Sequence, residues 1–327
     1  MDNIGYFRAD SVQQAITLTQ HHRSTFISGG TSLLDVMKDY VERHDALIDI
    51  NHTDLDEIQD LPQGGLRIGT LVRNAPMAMD ERIQSRYPAI SQSILMAALP
   101  QIRNKATLGG NVMQRTRCSY FRDTAFACNR RQPGSGCPAI TGLSRGHALL
   151  GGSTQCIASH ASSLSVALVL YDAQVITQGP QGQRQFPFSD LHSQPGDTPQ
   201  VENNLQPGEM ITHIELPDVP WFAHASHAKV RDRFLYSNVQ VVAALDVQQG
   251  HIRNARVALG GVATVPWRAR QTEMALIDQP ASEQTFDHAA QATVDLMQPT
   301  DDNRFKLELT KRLIKKALND IVENADD

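Results

Sequence analysis

The sequence predicts a mixed helix-and-strand protein in two parts, and three observations carry that expectation. Roughly the first 50 residues alternate short helical and extended stretches. Two strand-like runs, 239–247 and 255–262, are joined through Gln248-Gln249-Gly250 and read as neighbours. Two helical patterns, 282–297 and 303–323, then end the chain. The texture changes near 217–220, which is the expected domain boundary.

Each element has a local reason. Residues 10–22 read as a helix that Asp10 or Ser11 can cap, with Val12, Ala15, Ile16 and Leu18 on one face. A strand through Thr25-Phe26-Ile27-Ser28 runs into Gly29-Gly30, followed by a helix at 33–40 and a strand at 46–50. Further on come a strand at 66–72 and a helix at 87–99 with Pro88 in its first turn. Residues 114–160 show no sustained periodicity and hold all four cysteines. A helix and then a strand resume at 164–176, and 189–208 reads as a long loop rich in Pro, Gly, Asn, Gln and Asp. In the last helix Phe305, Leu309, Leu313, Ala317 and Ile321 hold the i, i+4 spacing.

Composition narrows the function. The 327 residues suffice for two or three domains, and 41% hydrophobic with 20% charged is ordinary for a globular protein. A net charge of -5 leaves no footprint for nucleic acid. No apolar run approaches the ~20 residues of a membrane span. The N-terminus has no basic region, apolar core or cleavage site, so no signal peptide is expected. There is no nucleophile elbow, no pair of catalytic carboxylates, no Rossmann fingerprint and no Walker lysine. Among the 12 histidines, His21-His22 reads as a helix end, and His224 and His227 as surface residues rather than ligands. Trp267 reads as core packing, and Lys311, Arg312, Lys315 and Lys316 as a solvated helix face.

Two segments share the form strand, double glycine, small polar residue, apolar run. They are Phe26-Ile27-Ser28-Gly29-Gly30-Thr31-Ser32-Leu33-Leu34 and Ile102-Arg103-Asn104-Lys105-Ala106-Thr107-Leu108-Gly109-Gly110-Asn111-Val112. Glycine lets backbone approach a ligand, and successive N–H groups near a helix start make an anion nest suited to a pyrophosphate. Gly-Gly pairs also occur simply as turns, and three more begin at Gly64, Gly151 and Gly260.

Cys118, Cys128, Cys137 and Cys156 are separated by nine, eight and 18 residues, with no CxxC knuckle for a zinc ribbon. An irregular loop broken by Pro133, Gly134, Gly136 and Pro138 can wrap a [4Fe–4S] cluster. Tetrahedral zinc, free thiols and disulfides stay open as alternatives. Residues 114–146 carry six arginines and one acid, Asp123, a local +5 that suits an anionic cluster or an acidic partner.

The two glycine segments resemble the flavin loops of the xanthine dehydrogenase family of molybdenum hydroxylases, in order and in separation. Leu66-Arg67-Ile68-Gly69, Pro207-Gly208-Glu209-Met210-Ile211, Lys229-Val230-Arg231-Asp232-Arg233, Val257-Ala258-Leu259-Gly260-Gly261-Val262 and Pro266-Trp267-Arg268 extend the resemblance over nearly the whole chain. It is strongest to the FAD subunits of bacterial periplasmic aldehyde oxidoreductases.

The resemblance implies an α+β fold. A two-subdomain FAD-binding module of the PCMH type would occupy 1–219, with subdomains of about 1–55 and 56–219 and a cysteine-bearing insertion at about 114–160. A C-terminal α+β domain with a small antiparallel sheet and helices would occupy 220–327. It also implies cofactor contacts. Thr25, Phe26, Ile27, Ser28, Gly29, Gly30, Thr31, Ser32 and Leu33 would hold the FAD pyrophosphate. Thr107, Gly110 and Asn111 would meet the cofactor in the second loop, Ile211 would pack near the isoalloxazine, and Lys229 would lie at its polar edge. Ser163 stands where the family has an Asp that contacts FAD, and brings no charge. The four cysteines would bind a [4Fe–4S] cluster, as in the relatives that carry such an insertion.

The expected role is electron transfer. A molybdenum-cofactor subunit oxidises an aldehyde or heteroaromatic substrate, and a [2Fe–2S] subunit passes electrons to FAD and on to an external acceptor. The assembly would be a heterotrimer or its dimer. It would lie in the periplasm by co-export with a signal-bearing partner, or in the cytoplasm. A stand-alone flavin oxidase and a zinc-stabilised, non-enzymatic subunit are the rival readings.

Overall fold

Three parallel strands open the chain: β1 (Gly5–Arg8), β2 (Ser24–Ile27) and β3 (Ala46–Asp49), in the order β1-β3-β2. The computed structural model describes residues 3–20, 23–232 and 236–323. β3 is buried at every position because it is the central strand. The helix Val12–Thr19 crosses from β1, capped by Ser11, whose hydroxyl accepts from the Gln14 amide at 3.1 Å. β1 escaped the sequence reading because four residues, mostly exposed, carry no periodic signal. The helix expected over 10–22 ends at Thr19, and His21-His22 lies outside the described residues, as does Arg233.

A second, antiparallel sheet combines distant segments. Its strands are β4 (Ile58–Asp60), β5 (Leu66–Gly69), β6 (Gln174–Gly179), β7 (Gly182–Pro187) and β8 (Met210–Leu216), in the order β4-β5-β8-β6-β7. The strand expected over 66–72 stops at Gly69, where a side chain would collide with the Leu55 carbonyl at 2.1 Å. Helices Asn74–Met79 and Glu81–Arg86 precede Pro88–Leu95, which starts on its proline as expected but ends short of residue 99. The helix Ser163–Leu170 is buried at every residue and packs on Pro88–Leu95, and apart from Ser163 and Ser165 it is apolar.

The C-terminal part holds a four-stranded antiparallel sheet, β9 (Ala225–Arg231), β10 (Ser237–Gln248), β11 (His251–Gly260) and β12 (Trp267–Arg268), in the order β12-β11-β10-β9. Gln249 and Gly250, with φ of 53° and 76°, form the tight β10–β11 turn. Helices Arg270–Leu276, Glu283–Val294 and Phe305–Glu323 complete the layer. Leu313, Ala317 and Ile321 are buried as the spacing predicts. His227 is buried in β9, contrary to its reading as a surface residue. Lys311 and Lys315 are not simply solvated, because both pair with Asp287.

Candidate functional site

β2 delivers the first glycine loop to the edge of the N-terminal sheet. Gly30 has φ of 70°, a conformation that L side chains rarely adopt. Gly29 serves a different purpose: a Cβ there would stand 2.3 Å from the Lys105 carbonyl oxygen, so the first loop abuts the second segment backbone to backbone. Ser28 Oγ and Thr107 Oγ1 lie 2.8 Å apart and join the two loops. Asn51 Nδ2 donates to the Ser28 carbonyl at 3.2 Å, and Arg73 holds Asn51 Oδ1 at 3.0 Å.

The second loop departs from the sequence reading. The stretch before its glycines is a helix, Pro100–Lys105, not a strand. Pro100 sits at the start of that helix, where its missing N–H costs nothing. Gly109 and Gly110 lie within a second short helix, Leu108–Val112, which Thr107 caps by accepting from the Gly110 amide at 3.2 Å. Gly109 is required by packing, since a Cβ would overlap Thr70 Oγ1 at 1.9 Å. Asn111 Oδ1 accepts from Ser162 Oγ at 2.8 Å and from Gln114 Nε2 at 2.9 Å.

A groove runs over both loops. Thr25, Phe26, Ile27, Ser28, Gly29, Gly30, Thr31, Ser32 and Leu33 line its first part, with Thr107, Gly110, Glu42 and Arg115. Its second part shares Thr31, Ser32 and Gly110 and reaches Asn111, Ser163 and Lys229. Lys229 Nζ donates to Ser163 Oγ at 3.0 Å. Burial depresses Lys229 to about 8, and the neighbouring Arg231 adds to the effect. Ile211 lines neither part; it is 4% exposed in β8 and belongs to the core of the first module. The sequence reading missed Asn74, Arg103, Gln114, Arg117 and Tyr236 at the second part. Of these, Arg103 stands within the second glycine segment, and Gln114 lies three residues beyond Asn111 and is bonded to it.

The cysteine segment is tied down on both sides. Leu149 and Leu150 join the C-terminal core, their amides donating to the Val262 carbonyl at 2.7 and 3.0 Å. Lys306 is fully buried and donates to the carbonyls of His147 and Gly261, both at 2.9 Å. The arginine excess is answered by acids from elsewhere in the chain. Arg117 and Arg122 pair with Asp35, Arg115 with Glu42 and Glu202, Arg130 with Glu202, and Arg145 with Asp232. Arg131 is occupied by the carbonyls of Tyr120, Phe121, Asp123 and Phe126. The positive segment is therefore largely an internal scaffold rather than a free docking patch.

All four cysteines are free thiols. Cys118 and Cys128 share a small apolar cluster with Phe121 and Val36. Interaction with the Cys137 thiol first, and then Arg130, hold the Cys156 thiol well below its ordinary value, while Cys156 and burial push Cys137 up. Burial raises Cys118 to about 11, and its sulfur lies 3.1 Å from His147 Nε2. Among the described residues no three Cys, His, Asp or Glu side chains meet as a single-ion site. A tetrahedral zinc ion needs its ligands around one centre. A four-iron cluster gives each thiolate a separate iron and suits four sulfurs spread around a loop.

The chain is thus a two-part α+β protein whose groove passes over two glycine loops and carries Arg103, Arg117, Lys229 and Arg231 along its second part, and the family it matches is one of flavoproteins. Residues 2–219 match the family described as the FAD binding domain in molybdopterin dehydrogenase, and residues 227–324 match the CO dehydrogenase flavoprotein C-terminal domain. The chain belongs to this family of FAD-binding subunits of molybdenum hydroxylases. It is 44% identical over 298 residues to the aldehyde oxidoreductase FAD-binding subunit PaoB of Escherichia coli, covering 90% of each chain. Identity to the carbon monoxide dehydrogenase medium chain of Hydrogenophaga pseudoflava is 22%, over 96% of this chain and 95% of that one. The fold matches quinoline 2-oxidoreductase from Pseudomonas putida 86 with a TM-score of 0.77 at 20% identity, covering 99% and 98% of the two chains. Such relatives are subunits of oxidoreductase complexes. Among the described residues no helix is long and apolar enough to cross a membrane.

Proposed function

We propose that this chain is the FAD- and [4Fe–4S]-carrying electron-transfer subunit of a molybdenum-dependent aldehyde oxidoreductase. The observation that carries the reading is the groove itself, continuous from the first glycine loop over Gly110 to Lys229. Its two connected parts and its change of character suit a dinucleotide, with phosphates at one end and a flavin ring at the other. FAD supplies the redox chemistry; the chain binds, orients and tunes it. In this reading residues 25–33 hold the pyrophosphate with main-chain N–H groups, Thr107, Gly110 and Asn111 fix the cofactor's middle, and Ser163 and Lys229 face the ring. Ile211 packs near the ring from the core of the first module. The first module spans 1–219 and the C-terminal domain 220–327, with Lys229 bringing the second to the first.

Four free cysteines within one irregular segment, with Arg130 beside Cys156, support the [4Fe–4S] assignment. The relative at 44% identity is an aldehyde oxidoreductase subunit, which supports an aldehyde as the substrate of the complex. In this reading a molybdenum-cofactor subunit and a [2Fe–2S] subunit complete a heterotrimer or its dimer. Electrons leave the FAD for an external acceptor, and the compartment is the periplasm by co-export or the cytoplasm.

The test uses the full chain, purified anaerobically, alone and with its co-purifying subunits. FAD with about four irons and matching sulfide per chain is expected, and single Ala replacements of the four cysteines should each lower the iron. The isolated chain should not oxidise aldehydes with an artificial acceptor until the other subunits are added. Stoichiometric zinc without iron overturns the cluster, and substantial turnover by the isolated chain favours a stand-alone oxidase.

A further inference from the structure

Arg130 reaches the cysteine site from inside the fold. Its side chain is 6% exposed, its Nε donates to Cys156 Sγ at 3.3 Å, and its Nη1 pairs with Glu202 at 3.0 Å. Glu202 is itself 15% exposed and takes two further bonds from Arg115 Nε, at 2.9 and 3.0 Å. Arg115 then contacts Glu42, and both line the first part of the groove. A line of paired charge therefore runs from Cys156 through Arg130, Glu202 and Arg115 to Glu42 at the first part of the groove.

We infer that Arg130 is a positioning and tuning residue of the cysteine site, raising the reduction potential of the cluster held there, with Glu202 limiting that effect. The inference rests on the cluster reading above. One electron entering a four-thiolate cluster adds one negative charge to it. A guanidinium at hydrogen-bond distance from one thiolate stabilises that charge and draws electron density from the sulfur. Arg130, Glu202 and Cys156 are all largely buried, so screening is weak. The carboxylate of Glu202 opposes Arg130 electrostatically while fixing its orientation, so the two residues have opposite signs of influence through one geometry. The planar fork matters, because it engages sulfur and carboxylate at once.

The experiment poises the holo-chain at defined potentials and reads the reduced cluster by EPR, in the wild type and in Arg130→Gln, Arg130→Lys and Glu202→Gln. Arg130→Gln should lower the ratio of reduced to oxidised cluster at a fixed potential about tenfold or more, a midpoint shift of about 59 mV for one electron. Glu202→Gln should shift it the opposite way, and Arg130→Lys should recover most of the wild-type value. FAD content and flavin potential should stay unchanged in Arg130→Gln. A role confined to folding would not give opposite signs at the two positions. Iron retained with an unshifted midpoint in both Arg130→Gln and Glu202→Gln overturns the inference alone. Loss of iron from Arg130→Gln together with an unshifted Glu202→Gln also overturns it. A wild-type chain without iron overturns the cluster reading and this inference together.

Discussion

Lys229 Nζ donates to Ser163 Oγ at 3.0 Å, so a lysine of the C-terminal sheet meets the first residue of the buried helix Ser163–Leu170 across the groove. Burial first, and Arg231 second, lower its pKa to about 8. In the proposed site, Lys229 is protonated below that value and would favour a reduced, anionic flavin; above it the charge is lost. The flavin potential should therefore fall more steeply with pH above about 8 in the wild type than in Lys229→Met. At neutral pH, Lys229→Met should be lower by about 30 mV, a tenfold change for a two-electron couple. Spectroelectrochemical titration across the pH range checks this, and coincident potentials at neutral pH would contradict it.

Ser163→Asp introduces the residue type expected from the family resemblance. A carboxylate beside Lys229 raises the lysine pKa by opposite charge. The break in the pH profile should then move above about 8, and FAD should be retained through longer dialysis than in the wild type. An unmoved break means that the introduced carboxylate does not pair with Lys229.

The contact between Ser28 and Thr107, at 2.8 Å, is the direct side-chain link between the two glycine loops. Thr107 also caps Leu108–Val112, so Thr107→Val should cost more than Ser28→Ala. About 1 kcal/mol is expected for the loss of the Ser28 hydrogen bond, and about 1–2 kcal/mol for loss of the cap with it. A double-mutant cycle on thermal or urea unfolding, with FAD content measured in parallel, gives the coupling. Strict additivity would show that the link carries no energy.

Gly29 and Gly30 should fail for different reasons. Gly29→Ala drives a Cβ into the Lys105 carbonyl, separating the loops and lowering stability by about 1–3 kcal/mol. Gly30→Val strains a backbone at φ of 70°, with its Cβ meeting Leu34 at 3.0 Å. It should abolish flavin retention, and full FAD occupancy in that variant would falsify the loop assignment.

Lys306 gives a pH dependence of folding. It is fully buried between two carbonyls, and burial first, then Arg145, lower its pKa to about 7. The unfolded chain holds this proton up to the ordinary lysine range, so between about 7 and about 10 the unfolded state binds more protons. Its contribution to stability therefore rises with pH across that window. Lys306→Met should flatten the rise in denaturation midpoints between about pH 7 and about pH 9. An unchanged slope means that Lys306 keeps its charge in the fold.

Much of the fold was legible because its signals are local. Ser11 before an apolar stripe, Pro88 at a helix start, and Gln249-Gly250 between two apolar runs each act through their own backbone, and each stands where the sequence placed it. The first glycine loop was legible for the same reason, as a strand ending in Gly29-Gly30. The second was half legible: its glycines were found, but the helix Pro100–Lys105 was read as a strand, because six residues are too few for helical periodicity to show.

The sequence by itself determined the family, the loops and the four thiols, since those reside in residue types at fixed spacings. Tertiary structure alone decided what the arginines do. A local +5 between residues 114 and 146 reads as a docking patch until Asp35, Glu42, Glu202 and Asp232 arrive from distant segments to meet it. Structure also placed Ile211 in the core of the first module and Lys229 against Ser163, 66 positions apart in the chain. Charge pairing and burial depend on which segments meet in space, and no short-range pattern along the chain encodes that meeting.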